Sequence, residues 1–344
     1  MHFYLGLLLL GFGVTFGLMV PFINFLFKMK FTRKNESGEI RKGAPPAYYK
    51  IKEMQASKPM LVTGGGILVS LVVMVIFAVM SGVMSAQGRL FSGHPFWGEL
   101  AMIFFTFIGF GLLGLYDDLI KIFGFAKTGF FGLRMRHKFM IQWILATVAA
   151  GILYWWLGID ILNIPGLGYF DLGILMIPMA AFLIVTFANA FDITDGLDGL
   201  SCGLLMICLL AFWMISLRDL DHILLLFIAV WVGSLLAYLF FNVYPARIML
   251  GNVGGLAFGA TLAVIGLLSG KTVALLVIGG IFLAEGATSM LQLLSKKFMK
   301  RRLFPIAPLH HWLQLVGWEE PKIVARAWLA GLILAIFGVW LAVL

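Results

Sequence analysis

The chain has 344 residues, of which 62% are hydrophobic and 12% carry a charge, and its mean hydropathy is +1.02. Soluble domains carry about 25% charged residues, so this composition excludes a soluble enzyme, a nucleic-acid-binding protein and a disordered chain. Cys202 and Cys208 lie in one apolar run and indicate neither a disulfide framework nor a cysteine-based metal site. The composition is typical of a protein that resides in a membrane.

Ten apolar runs follow one another along the chain. Each is long enough, or nearly so, to cross the hydrocarbon layer as a helix, which takes about 20 residues. The runs are continuous rather than alternating, which excludes a membrane β-barrel. They cover approximately residues 3–27, 61–84, 98–116, 139–158, 174–191, 200–217, 223–241, 253–269, 272–294 and 323–344. We therefore predict an all-α polytopic membrane protein with about ten transmembrane helices, formed by a single domain over residues 1–344.

The basic residues are divided unequally between the two sides of this arrangement. Of the 25 lysines and arginines, 22 fall in loops on one side, whereas Arg89, Arg218 and Lys271 fall on the other. By the positive-inside rule the side with 22 basic residues faces the cytoplasm, which places both termini outside. On the outer side, residues 159–173 contain a Pro-Gly turn between two short apolar stretches and predict a small hairpin.

The sixteen acidic residues point to the candidate site. Five of them lie at cytoplasmic ends of the apolar runs, namely Asp117, Asp118, Asp192, Asp195 and Asp198. One such carboxylate could be a solvated helix cap, but five beside glycines and aromatic residues favour a functional site, because ionisable groups near the membrane are costly. Lys121 lies one helical turn beyond the adjacent pair, and such a group can hold a divalent cation together with a phosphate.

The second acidic segment has a spacing of three residues. Asn189, Asp192, Asp195 and Asp198 would share one helical face, and the glycines that follow indicate a turn where backbone amides approach a ligand. The segment lacks the lysine and hydroxyl residues of a P-loop and the closing glutamate of an EF-hand. We therefore interpret it as part of a different type of cation or phosphate site.

Two further segments carry polar residues at the same side. The glycine-rich stretch from Asn242 to Gly255 could cradle a phosphate or could permit close helix packing. The pair His310 and His311, in a basic loop, could be capping residues or an anion or metal site. Together the four segments indicate a divalent cation, a phosphate-rich substrate and phosphoryl-type transfer onto or from a lipid-linked acceptor at the cytoplasmic face.

These motifs together resemble the polyprenyl-phosphate N-acetylhexosamine-1-phosphate transferases, and most closely their phospho-N-acetylmuramoyl-pentapeptide branch. The resemblance extends from Lys58 to Trp328 and rests on DDLIK at 117–121, NAFDITDGLDGL at 189–200, PLHH at 308–311 and GWEE at 317–320. It implies a multi-pass enzyme of the bacterial inner membrane that acts in peptidoglycan synthesis. The implied reaction joins undecaprenyl phosphate and UDP-MurNAc-pentapeptide to give lipid I and UMP with Mg²⁺, and the family's homodimers make a dimer possible.

The resemblance also implies roles for individual residues. Asp117, Asp118 and Asp195 would be catalytic, with Asp117 the candidate base that positions or activates the lipid phosphate. The substrate-binding residues would be Lys58, Thr63, Lys121, Asn189, Leu197, Asp198, Asn242, His310 and His311.

Several positions depart from the family pattern. Asn252 stands where the family has the aspartate expected to bind Mg²⁺, and Asp192 stands where the family has an asparagine. Since carboxylates are the natural Mg²⁺ ligands, we hypothesise that the two positions have exchanged a carboxylate and that both face the metal. Met249 replaces an aromatic residue and Trp312 replaces a third histidine, which allows a divergent substrate.

Three alternatives are compatible with parts of the sequence. A transferase of the same chemistry could use UDP-GlcNAc or a related sugar nucleotide. A divergent relative could have lost activity through the changed motifs. A transporter would place charges near the middle of several spans, but among the acidic residues only Glu285 occupies such a position, which makes this class the least favoured.

Overall fold

The computed structural model describes residues 1–32, 49–51, 61–88, 92–124 and 135–344. Lys58 lies outside the described residues. The helices, numbered in chain order, are α1 His2–Lys28, α2 Gly65–Ala86, α3 Phe96–Phe123, α4 Met135–Gly151, α5 Met176–Thr194, α6 Leu200–Asp219, α7 His222–Asn242, α8 Gly251–Leu268, α9 Thr272–Ile278, α10 Gly280–Leu294, α11 Leu309–Leu315 and α12 Glu320–Val343. Short strands follow at β1 Val62–Thr63, β2 Ile161–Ile164, β3 Gly168–Asp171 and β4 Ile248–Met249.

Nine helices in the described part of the chain are long and apolar enough to cross a membrane, and a bent pair brings the number to ten. This confirms the predicted all-α polytopic fold. The run predicted as one span at 272–294 is instead broken into α9 and α10, with a bend of 75°. At the break, a Cβ atom on Gly279 would lie 2.3 Å from the Phe187 ring, so the chain there is packed too tightly for a side chain.

Helices α7 and α8 form the centre of the bundle, since 89% of each candidate span is buried inside the protein. A helix that is apolar on all sides can be enclosed in this way. Helix α1 packs against α7, while α3 and α5 pack against α8. Small residues permit the close approach, because a Cβ atom on Gly114 would lie 2.1 Å from the Asn252 carbonyl and one on Gly259 would lie 2.3 Å from the Phe187 carbonyl.

An aromatic cluster joins the three helices α3, α7 and α8 in the interior. The ring of Phe107 lies 5.2 Å from that of Trp231 and 5.6 Å from that of Phe258, and the last two rings are 5.3 Å apart. Each such pair contributes about 0.5–1.5 kcal/mol beyond area burial. The cluster therefore fixes the relative depth of the helices whose ends carry the polar motifs.

Two small sheets lie at the ends of the bundle. Strands β2 and β3 form an antiparallel hairpin over the segment predicted as one. Strands β1 and β4 pair in parallel, with Thr63 opposite Met249, and this pairing brings the segment after residue 60 to the start of α8. The ends of α3, α5 and α7 and the starts of α6 and α8 meet at that same end of the bundle, which we call the site end.

Candidate active site

Asp117 lies at the centre of the site end. Helix α3 continues seven residues beyond the predicted run, so Asp117 sits within its last turns rather than after it. Its Oδ2 atom accepts hydrogen bonds from Asn252 Nδ2 at 2.6 Å and from Lys121 Nζ at 2.9 Å, and Lys138 Nζ lies at 3.2 Å. The Asp117 side chain is only 2% exposed. A buried carboxylate is thus charge-balanced by two ammonium groups, as burial of a charge requires.

Asp118 points to the start of α8 instead. Its Oδ2 atom accepts the backbone N–H of Asn252 at 2.8 Å and that of Val253 at 3.4 Å. N–H groups in the first turn of a helix have no carbonyl partner within that helix, so this position favours an anion. Gly251 has φ +80, and a Cβ atom there would lie 2.9 Å from Asp118 Oδ2 and 3.0 Å from Thr63 Oγ1. Glycine is therefore required by both conformation and space, and Thr63 lies in the same polar group.

Asp192 joins this group through Lys138. The Lys138 Nζ atom lies 3.1 Å from Asp192 Oδ2, so one ammonium group bridges Asp117 and Asp192. A Cβ atom on Gly255 would lie 2.7 Å from Asp192 Oδ1, which places that carboxylate against the first turn of α8 that also carries Asn252. The Asp192 side chain is 25% exposed, so it is the more accessible of the two bridged carboxylates.

Lys138 is a site residue that sequence reasoning did not select. Its place one helical turn before Gln142 puts Lys138 on the same face of α4 as that polar residue. Its partners lie on two other helices, however, and cannot be found from the spacing of residues along the chain. Asn189, which was selected, bonds elsewhere: its Nδ2 atom donates to Gln142 Oε1 and to the Val185 carbonyl, both at 2.7 Å. The bond to Gln142 ties α5 to α4, which keeps Lys138 opposite Asp192, whereas the bond to Val185 lies within α5.

The turn between α5 and α6 carries the next three predicted residues. Asp195 directly follows the last residue of α5, and its Oδ1 atom accepts the Ser201 hydroxyl at 2.5 Å. The Asp198 N–H donates to Glu320 Oε1 at 2.7 Å, and Asp198 Oδ2 accepts the Ala246 N–H at 3.1 Å. Leu197 is buried between them. Asp198 is thus bonded to two neighbouring segments, whereas Asp195 remains half-buried at the site end.

Asn242 holds the same turn from the end of α7. Its Oδ1 atom accepts the Gly199 N–H at 3.2 Å, and its Nδ2 atom donates to the Ile248 carbonyl at 2.9 Å. The indole N–H of Trp328 donates to the Gly199 carbonyl at 3.2 Å from helix α12. The turn therefore receives support from α7 and α12.

The histidine pair lies beside this turn. His310 is 1% exposed, and its ring packs so closely that a Cβ atom on Gly196 would lie 2.5 Å from His310 Nε2. The His311 ring centroid lies 4.3 Å from that of His310, and His311 Nδ1 bonds Gln314 Oε1 at 2.9 Å. Glu285, which the transporter alternative would place alone in a span, bonds His310 Nδ1 through Oε2 at 3.0 Å.

The donor set of the central group suits a hard cation. The carboxylates of Asp117 and Asp192 flank the Lys138 ammonium group, and the Asn252 amide donates to Asp117. Within the described ranges, no three His, Cys, Asp or Glu side chains stand close enough to hold a metal by themselves. Mg²⁺ commonly takes only one or two protein carboxylates and completes its shell with water and substrate phosphates. The residues present therefore fit Mg²⁺ as a partial ligand set.

This fold and site define a membrane-embedded transferase class. A protein-family model described as Glycosyl transferase family 4 matches residues 100–270, which include the acidic segments and the start of α8. The chain belongs to the phospho-N-acetylmuramoyl-pentapeptide-transferase family, as the resemblance predicted, and it is therefore a transferase of a family that acts in peptidoglycan synthesis.

The similarity covers nearly the whole chain. It is 32% identical to the phospho-N-acetylmuramoyl-pentapeptide-transferase of Bacillus pumilus (strain SAFR-032) over 337 residues, which are 98% of this chain and 97% of the relative. The enzyme of Bacillus subtilis (strain 168) gives the same identity and coverage. That of Borreliella burgdorferi (strain ZS7) is 33% identical over 273 residues, which are 72% of this chain and 77% of the relative.

Proposed function

We propose that this chain transfers phospho-MurNAc-pentapeptide from UDP-MurNAc-pentapeptide to undecaprenyl phosphate. An oxygen of the lipid phosphate would form a bond to the β-phosphorus of the donor. The bond from that phosphorus to the bridging oxygen would break, UMP would leave and lipid I would form. The observation that carries the proposal is the group of two lysines and two carboxylates at the site end, in a chain 32% identical to enzymes that bear this name.

The charges of the site suit this chemistry. Phosphoryl transfer depends mainly on positioning and on neutralising charge that develops on phosphate oxygens. Lys121 is 32% exposed, so its ammonium group can reach a diphosphate while it remains bonded to Asp117. We propose that Asp117, the candidate base, and Asp118 position the lipid phosphate and that Asp195, half-buried on the adjoining turn, faces the same centre.

We propose Mg²⁺ as the cofactor, held by Asp117, Asp192 and Asn252. When bound, it would neutralise charge on the diphosphate. The carboxylate-exchange hypothesis is supported by the positions of the two residues: Asn252 bonds Asp117, and Lys138 links Asp117 to Asp192. A carboxylate at either position would therefore lie beside Asp117 and could bind the same cation.

We also propose the side and the membrane. The excess of basic residues supports a site end that faces the cytoplasm, where UDP-linked donors are available, with both termini outside. The bacterial relatives support the inner membrane. A homodimer stays a prediction that native mass spectrometry of the detergent-solubilised protein would test.

One assay tests the reaction and its donor. Purified protein is incubated with undecaprenyl phosphate, Mg²⁺ and either UDP-MurNAc-pentapeptide or UDP-GlcNAc, and UMP release is measured. We expect release with the first donor only, and loss of that release in an Asp117→Asn variant. Release with UDP-GlcNAc alone would assign the chain to the alternative sugar, a divergence for which Met249 and Trp312 are the candidate positions. No release with either donor would favour the inactive relative.

A further inference from the structure

Glu285 is a buried carboxylate that contacts His310 of the histidine pair. It lies in α10, directly before Gly286, where a Cβ atom would lie 3.0 Å from that of Ala190 in α5. Glu285 is 4% exposed, and Glu285 and His310 form an ion-pair geometry at 3.0 Å between Oε2 and Nδ1. A carboxylate buried this deeply needs hydrogen-bonding partners, and among the described residues His310 provides them.

The contact is made through both the ring and the backbone. Besides the Nδ1 bond, the His310 N–H donates to Glu285 Oε1 at 3.1 Å and lies 3.3 Å from Oε2. Two attachment points fix both the position of the first turn of α11 and the rotation of the imidazole. Because the carboxylate takes the Nδ1 proton as acceptor, the other nitrogen, Nε2, is left to meet a different group.

The direction of Nε2 shows which group that is. Within the described part of the chain, Nε2 is buried and has no hydrogen-bond partner, and it lies directly beneath Gly196. An unsatisfied buried nitrogen costs about 1–3 kcal/mol. Gly196 follows Asp195, and both residues are half-buried, so the turn that covers Nε2 is itself partly accessible. The nitrogen is therefore held at the edge of the proposed substrate position.

We infer that Glu285 is a positioning residue. It fixes the His310 ring so that Nε2, beside the Asp195–Gly196 turn, can hydrogen-bond the sugar-nucleotide donor. This inference rests on the proposed function. Glu285 itself touches no reacting atom and acts through His310. At metal-bound histidines, removal of an orienting carboxylate typically lowers metal affinity or activity by about 10- to 100-fold, and we expect a loss of this order here.

A double-mutant cycle tests whether Glu285 acts through His310. We expect Glu285→Gln to lower kcat/KM for UMP release about 10- to 100-fold, and Glu285→Asp, which keeps the carboxylate, to lower it less. In a His310→Asn background, Glu285→Gln should change kcat/KM by less than about twofold. An equal loss in both backgrounds would overturn the inference. Glu319→Gln, an exposed glutamate at the start of α12, is the matched control and should leave kcat/KM unchanged.

A spectroscopic measurement keeps the inference independent of the reaction. In ¹⁵N-histidine-labelled protein, the His310 ring signals are identified among six histidines by their loss in His310→Asn. We expect Nδ1 of His310 to carry a proton in the unaltered chain and this preference to disappear in Glu285→Gln. Unchanged ring signals would overturn the inference even if activity fell. If the unaltered chain released no UMP from either donor, the proposed function would fail, while the ring signals would still decide whether Glu285 orients His310.

Discussion

Both ends of the bundle bury carboxyl groups, but they balance them differently. At the site end, Asp117 and Asp192 share the ammonium group of Lys138. At the opposite end, Glu99 is fully buried and accepts the Ser92 hydroxyl at 2.6 Å. Beside it, Asp221 accepts the N–H groups of Ile223 and Leu224 at 3.1 and 3.0 Å and so caps α7.

The difference lies in the counter-ion. Within the described residues, no lysine or arginine pairs with Glu99 or Asp221. Burial raises the pKa of the Asp221 carboxyl, against the bonds from α7 and the nearby His94, which lower it. Glu99 and Asp221 are thus accommodated by hydrogen bonds and helix capping, which is sufficient for a structural role. A carboxylate that is paired with a flexible ammonium group can exchange that partner for a metal ion, and the released ammonium group can then bind a phosphate. In the part of the chain that the structure describes, Lys121 and Lys138 form such pairs at the site end.

The largest expected effect follows from removing the shared ammonium group. Lys138→Gln should lower kcat/KM for UMP release by about 100-fold or more, because two carboxylates lose their common cation and the site loses a positive charge. Arg136→Gln, an exposed position on the same helix, is the control and should stay close to the unaltered enzyme. If the activity of Lys138→Gln were within about threefold of that control, the ammonium counter-ion would not distinguish the function of the two ends.

The carboxylate exchange is expected to give the next largest effect. Asp192→Asn and Asn252→Asp should each lower activity about 10- to 100-fold, because the first leaves one carboxylate at the centre and the second adds a third. The double variant should recover to within about tenfold of the unaltered enzyme. Mn²⁺ binding, followed by electron paramagnetic resonance, should change in parallel. A double variant as inactive as the worse single variant, with no recovery of Mn²⁺ binding, would end the exchange hypothesis.

The fold was predictable because a membrane imposes one length on every helix. Nine of the ten apolar runs became single helices close to the predicted residues, and the hairpin at 159–173 formed where the Pro-Gly turn indicated it. The exception, the bend between α9 and α10, depends on the Phe187 ring of another helix packed against Gly279. Hydropathy along one segment contains no information about that contact.

The site was predictable in part. Helix-end position and glycine neighbours located Asp117, Asp192 and Asp195, since these are local properties of the chain. Lys138 and Glu285 were not selected, because their roles arise from residues 21 to 54 positions away that only the bundle brings together. Pairings between helix ends require the relative depth of the helices, which packing of aromatic rings sets and sequence spacing does not.

A smaller effect is expected from crowding the turn above His310. Gly196→Ala would place a Cβ atom 2.5 Å from His310 Nε2 and 3.0 Å from Cε1, so the ring or the turn must move. We expect kcat/KM to fall about tenfold while the protein stays folded, because a displacement near 1 Å in a positioning element is costly to catalysis. Gly82→Ala, where a Cβ atom meets nothing within 4 Å, is the matched control. Equal kcat/KM for the two variants would show that the position of His310 is unimportant.

The smallest effect is expected at the opposite end. Since the folded state raises the pKa of Asp221, ionisation of this carboxyl costs folding free energy as the pH rises through its ordinary value towards the raised one. Asp221→Asn retains an oxygen that can cap α7 but cannot ionise. Its Tm relative to the unaltered chain should therefore increase with pH, by about 2 °C in total, with UMP release unchanged. Asp219→Asn, an exposed neighbour, should show no such trend. A Tm difference for Asp221→Asn that falls with rising pH would mean that the folded state stabilises this carboxyl as an anion, which contradicts the prediction.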